Sequence, residues 1–75
     1  MNAAGRKVLT EIYEKLTEYR DCLEEIKSDE EAKLDNMPDG LRDSCKGEEL
    51  EEIISKLDEA YTSLDSCCDE LGELL

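Results

Sequence analysis

Four thiols and a dense set of carboxylates are the only side chains in this sequence with evident chemistry. The cysteines are Cys22, Cys45 and the adjacent pair Cys67-Cys68, and there is no histidine. A structural zinc site calls for paired ligands such as Cys-x2-Cys, repeated or joined by His, and this spacing does not supply them. In an antiparallel hairpin turning near Gly40, Cys67 and Cys68 fall opposite roughly Tyr13 to Leu16. That is about 10 Å from Cys22 at the helical rise, too far to share an ion. Cys67 and Cys68 are therefore expected to act as small core fillers.

The carboxylates are no better placed for catalysis. Without histidine the commonest general base is missing, and a carboxylate pair needs a pocket that separates its two pKa values. No catalytic residue is assigned, and the chain is read as a non-enzyme. Asp35, Asp39 and Gly40 fall at positions 1, 5 and 6 of a calcium-binding helix-loop-helix loop. Met37 and Lys46 then stand where two further oxygen ligands are required, so the segment reads as a turn. No metal and no cofactor is expected.

What remains is binding. Twenty-two acids against nine bases give a net charge of −13. Phosphate contacts need Lys and Arg, so direct nucleic-acid binding is excluded, and an anionic membrane is disfavoured on the same ground. A basic protein surface would be attracted. No stretch reaches the roughly 20 apolar residues of a membrane span. Residues 1–7 lack the apolar core of a signal peptide, so a cytoplasmic location with reduced thiols is expected.

The elements that position these residues are two helices. In the first, Leu9, Ile12, Leu16, Tyr19, Leu23 and Ile26 alternate steps of three and four, which predicts an apolar seam. Val8, Tyr13 and Cys22 widen it. Past Ile26 the seam decays at Glu30 and Lys33, and Leu34 and Met37 resume it out of phase. Ser28 to Glu31 could cap a new helix, but with no Gly or Pro nearby one continuous helix is favoured. Glu11 and Lys15 are spaced for an i,i+4 pair. The turn is Asn36, Met37, Pro38, Asp39 and Gly40, since proline ends a helix and Asp-Gly is turn chemistry. Leu41 is expected to tuck beneath it, and Asp43 or Ser44 to cap the second helix.

That second helix reads as heptads begun by Leu50, Leu57, Leu64 and Leu71, with a seam through Ile53, Ala60, Cys67 and Leu74. A second stripe, Ile54, Tyr61, Cys68 and Leu75, runs beside it at steps of seven. Three apolar positions in seven suit a bundle helix. Residues 44–75 hold ten acids and two bases, so the outer face here is strongly acidic. Glu51, Glu52, Asp58, Asp65 and Asp69 are candidate contacts for a partner.

The run Leu34-Asp35-Asn36-Met37-Pro38-Asp39-Gly40-Leu41, followed by Leu-initiated acidic heptads, resembles small acidic helical-hairpin proteins of bacteria and their phages. The likeness covers roughly residues 28–75. Gly40 stands where such sequences often carry Asn, and the cysteines lie outside the pattern. The resemblance implies a helical hairpin of prophage type, and phages use tiny acidic proteins to block host enzymes, defence nucleases among them.

The expectation is thus one all-α domain spanning residues 1–75, an antiparallel hairpin with helices near 4–36 and 44–74 and a turn at 37–43. Two helices hide only the stripes that face each other, so a dimeric four-helix bundle or larger oligomer is expected. Leu50, Ile54, Leu57, Tyr61, Leu64, Cys68, Leu71 and Leu75 form its expected interface, with the stripe of Ile54, Tyr61, Cys68 and Leu75 covered by the second copy. Function is read as a phage or prophage accessory protein that modulates a basic-surfaced host protein in the host cytoplasm. The rivals are a structural coiled-coil adaptor and an oligomeric nucleotide sponge with a polar pocket near Tyr19, Arg20 or Tyr61.

Overall fold

The structure, a computed structural model, describes all 75 residues. It contains α1 (Ala3–Asp35), α2 (Asp39–Arg42) and α3 (Cys45–Glu73), and no strand. α1 and α3 run antiparallel as a hairpin 58 Å long and 13–14 Å across, with a radius of gyration of 17.2 Å. A compact chain of this length would have a radius near about 11 Å. The molecule is a rod.

Local chemistry sets each helix boundary. Asn2 caps α1, its Oδ1 accepting the Gly5 amide at 2.7 Å. No boundary falls at Ser28, and the helix runs unbroken to Asp35. There the Asn36 and Met37 amides close the last turn on Ala32 O and Leu34 O. Pro38 cannot donate, which stops the ladder. Its carbonyl then accepts the amides of Leu41 and Arg42 at 3.0 and 2.8 Å, opening α2. Asp39-Gly40 therefore lies inside a single helical turn, and Gly40 has open space around it. Leu41 does not tuck under this turn but points to solvent. Ser44 takes the N-cap position of α3, yet its hydroxyl donates back to Leu41 O and leaves the cap unmade.

The elbow between α2 and α3 depends on Gly47. A Cβ built there would run into the carbonyl oxygen of Arg42 and lie 2.8 Å from its Cα. Only glycine admits that approach.

The register of the hairpin follows from three contacts. Arg20 meets Asp65 at 3.1 Å, Lys27 meets Asp58 at 2.8 Å, and a Cβ on Gly72 would touch the Tyr13 ring at 3.5 Å. In every pair the two residue numbers sum to 85. Cys67 and Cys68 are thus level with Glu18 and Thr17, closer to Cys22 than the turn alone implied. Glu11 and Lys15 make no ion pair; the intrahelical pairs are Arg20–Asp21, Lys27–Glu31, Lys33–Glu30 and Lys56–Glu59.

The two sides of the seam do not follow the expected stripes. From α1 the face turned to α3 is Leu9, Tyr13, Leu16, Arg20, Leu23, Lys27, Glu30, Leu34 and Met37, all partly covered and stepping four and three without a break. Leu34 and Met37 are therefore in phase. Ile12, Tyr19 and Ile26 are on the flank, exposed. From α3 the facing residues are Gly47, Leu50, Ile54, Leu57, Tyr61, Leu64, Cys68 and Leu71. Leu50 and Cys68, 8% and 1% exposed, are the fully covered apolar side chains. Ile54, Tyr61 and Cys68 are thus covered by α1 of the same chain, whereas Ile53, Ala60 and Leu74 are open to solvent.

Such a thin core leaves much surface wet. A compact 8.5 kDa protein exposes about 4,700 Å². This hairpin exposes 5,496 Å².

Candidate protein-binding interface

An antiparallel helix pair has two flanks, and here they differ in kind. Residues that immediately precede the seam positions on each helix meet on one flank; those that follow meet on the other. The following flank holds Thr17, Glu24, Glu31, Glu51, Asp58 and Asp65. Arg20 and Lys27 reach out of the seam toward it and take Asp65 and Asp58. The preceding flank holds Ile12, Tyr19 and Ile26 from α1 and Leu74, Cys67, Ala60 and Ile53 from α3.

The seam cations are held by their partners. For Arg20, partial desolvation lowers the pKa, but the Asp21 hydrogen bond and the charges of Asp21 and Asp65 outweigh it, leaving it raised. The Asp58 hydrogen bond raises Lys27 against a smaller desolvation effect, and the charges of Asp58 and Glu31 add to it. Lys33 is raised by its hydrogen bond to Glu30. Arg20 and Lys27, each matched to one acid across the gap, help to hold the register. A slip by one heptad that brought Lys27 to Asp65 would leave Arg20 level with Gly72 and without its carboxylate.

The thiols divide by burial. Cys68 is pushed up by desolvation, with the Arg20 charge opposing, so its thiol is covered and protonated. Cys67 is half-buried, while Cys22 and Cys45 are exposed. No group of three or more Cys, Asp or Glu side chains comes together to hold an ion. Tyr61 is raised by burial first and by the Glu24 and Asp65 charges second. Tyr61 and Arg20 share the seam, but Tyr19 stands on the apolar flank, so the three do not line a common hollow. One surface hollow is lined by Asp21, Glu24, Glu25, Ser28 and Asp29, a ring of carboxylates unsuited to a nucleotide.

Of the acids expected to meet a partner, Asp58 and Asp65 are engaged by the hairpin's own cations. Glu51, Glu52 and Asp69 are exposed and make no ion pair. The seam residues Leu50, Ile54, Leu57, Tyr61, Leu64, Cys68 and Leu71 are gathered along α1, and Leu75 is exposed at the open end. Sequence periodicity overlooked Gly47 and the two interhelical ion pairs. The pairs did leave a signal: Arg20 and Lys27 are seven apart, as are Asp58 and Asp65.

The result is an acidic two-helix rod with one apolar flank, and no helix in it is long and apolar enough to cross a membrane. Searches against protein-family models, curated proteins and solved structures find no match.

Proposed function

We propose that the chain is a non-enzymatic protein-binding module in which two hairpins join through their apolar flanks into a four-helix bundle. The acidic surface left outside then docks on a basic protein. The observation that carries this reading is the segregation of the surface: apolar side chains collect on one flank, and the outer faces carry Glu51, Glu52, Asp69 and their neighbours free of internal partners. An apolar strip of this extent on an otherwise charged rod is a binding surface. A strongly negative remainder gives long-range attraction to positive partners. The likeness of the Asn36-Met37-Pro38 turn to prophage proteins supports an accessory role, modulating or inhibiting a host defence protein in the cytoplasm.

The test compares the wild-type chain with a Glu51→Lys/Glu52→Lys/Asp69→Lys variant in capture from bacterial lysate at low salt. A specific basic partner that elutes as salt rises and is lost with the variant supports the reading. Capture of only abundant ribosomal proteins, or equal capture by both chains, counts against it. The apolar flank by itself also suits a purely structural adaptor, for which the same charge reversal would be harmless.

A further inference from the structure

We propose that the acidic outer faces gate the pairing of two copies: they hold the hairpins apart at low ionic strength, and salt or a bound polycation lets them close. This rests on the self-association proposed above and adds its control.

The charge of the rod is divided by side. On α1 the row of Val8, Lys15 and Asp29, at steps of seven, lies next to the apolar flank. On α3 the matching row holds Glu49, Lys56 and Glu70. Val8, Ile12 and Lys15 share one shallow hollow, and Glu49, Ile53 and Lys56 share another, so flank and outer row form one continuous surface. That side carries four of the nine bases, Lys15, Lys33, Lys46 and Lys56, but only three of the 22 acids, Asp29, Glu49 and Glu70. Its net charge is +1, and the other 19 acids and five bases leave the rest of the molecule at −14.

A symmetric dimer sets the same patch of both copies face to face, whichever way its two-fold axis runs. The near-neutral apolar side can meet itself. The opposite flank, with Glu24, Glu31 and Glu51, could do so only by stacking carboxylate on carboxylate. The occupant that suits the apolar side is thus a second copy.

Pairing nevertheless brings the two outer surfaces within range of each other. Each rod is 13–14 Å across, so the outer faces of a pair lie about 27 Å apart, inside the screening length of about 30 Å at about 10 mM salt and well beyond the length of about 8 Å at about 150 mM. At the lower salt −14 repels −14 across the whole pair; at the higher that repulsion is largely screened. The attraction it opposes is modest. The flank from Ile53 to Leu74 is about 31 Å long at the helical rise, and two helices side by side are about 20 Å wide. About 600 Å² per copy, or about 1,200 Å² in all, only reaches the lower bound for a stable interface. Exposed ion pairs between the flank lysines and acids would add little. A polycation on the outer faces removes the same repulsion as salt. A basic partner therefore drives two copies together, and by linkage the pair binds that partner more tightly than a single hairpin does.

The gate is tested by sedimentation equilibrium of the unaltered chain from about 10 to about 150 mM sodium chloride, with circular dichroism at each step to establish that the hairpin is folded. The dimer is expected to tighten at least about tenfold across that range, and about 1 mM spermine at the lowest salt is expected to recover most of the gain. Glu18, Glu25 and Glu52 are exposed, lie off the apolar side and make no ion pair. Glu18→Gln/Glu25→Gln/Glu52→Gln is expected to pair about threefold or more tightly than the unaltered chain at the lowest salt and to match it at about 500 mM. A dimer that loosens with salt, as ion pairs across the flank would make it, or that ignores both salt and spermine, would overturn the gate and leave self-association standing. So would a triple variant no tighter than the unaltered chain at low salt. A folded chain that stays monomeric at every salt concentration would overturn self-association itself.

Discussion

Glycine replacement separates three of the four helical glycines, Gly40, Gly47 and Gly72, by sign. In a helix interior, Gly→Ala ordinarily stabilises by about 0.5–1 kcal/mol, because alanine loses less backbone freedom on folding. Gly72 should show that gain: a Cβ there would meet the Tyr13 ring at 3.5 Å, an ordinary contact. Gly40→Ala should be neutral to mildly stabilising, since nothing lies within 4 Å. Gly47→Ala should go the other way. Its Cβ would strike the backbone carbonyl of Arg42, which cannot swing aside as a side-chain tip can, so α2 must shift or the first turn of α3 must open. Overpacking costs typically about 1–3 kcal/mol. Set against the helical gain, the net loss is about 1–2 kcal/mol. A domain of this size has about 4–11 kcal/mol in total, so such a loss is readily resolved. Urea denaturation followed by circular dichroism at one fixed protein concentration measures it, the concentration being held because self-association adds to apparent stability. A Gly47→Ala chain as stable as Gly72→Ala would refute the elbow geometry.

The exchange of stripes has its own test. Tyr19 and Ile26 are 55% and 51% exposed, so each retains about 1 kcal/mol of apolar burial for a second copy to supply, and each occurs twice in a dimer. Tyr19→Ser/Ile26→Ser should therefore weaken the dimer about a thousandfold by sedimentation while leaving the monomer helical. Leu23→Ser, three residues away on the seam, should instead lower helicity at every concentration. Stability should also fall in alkali. Cys68, Tyr61, Lys27 and Lys33 are all raised in the fold, so what each contributes is full below its ordinary value and lost as pH rises through the folded one. The decline starts near 9.0 with Cys68, continues past 10.0 with Tyr61 and deepens above 10.5 with the lysines. Urea midpoints that do not move between pH 8 and 11 would contradict this. Maleimide labelling at neutral pH should modify Cys22 and Cys45 quickly and Cys68 only at the rate of unfolding, as read by mass spectrometry.

Pro38 and the leucine heptads made the hairpin legible in the sequence, and Asn36 to Pro38 marked the end of α1 to within a residue. The choice of seam was not legible from apolar spacing. On α3 apolar residues come as neighbours, Ile53-Ile54, Ala60-Tyr61, Cys67-Cys68 and Leu74-Leu75, so two stripes seven apart fit equally well. On α1 the more apolar path, through Ile12, Tyr19 and Ile26, is the one that faces solvent. The path that faces α3 accepts Arg20 and Lys27 because Asp65 and Asp58 wait across the gap, and in return it brings Leu34 and Met37 into the seam. That trade depends on the antiparallel register, which no single-helix pattern contains. Gly47 was opaque for a similar reason, since the backbone it accommodates belongs to the preceding helical turn.

Sedimentation equilibrium of the unaltered chain between about 1 and 100 µM bears most directly on the binding role of the apolar flank. The expected result is a reversible dimer of about 17 kDa, twice the 8.5 kDa chain. A folded hairpin that remains at 8.5 kDa across that range would contradict it.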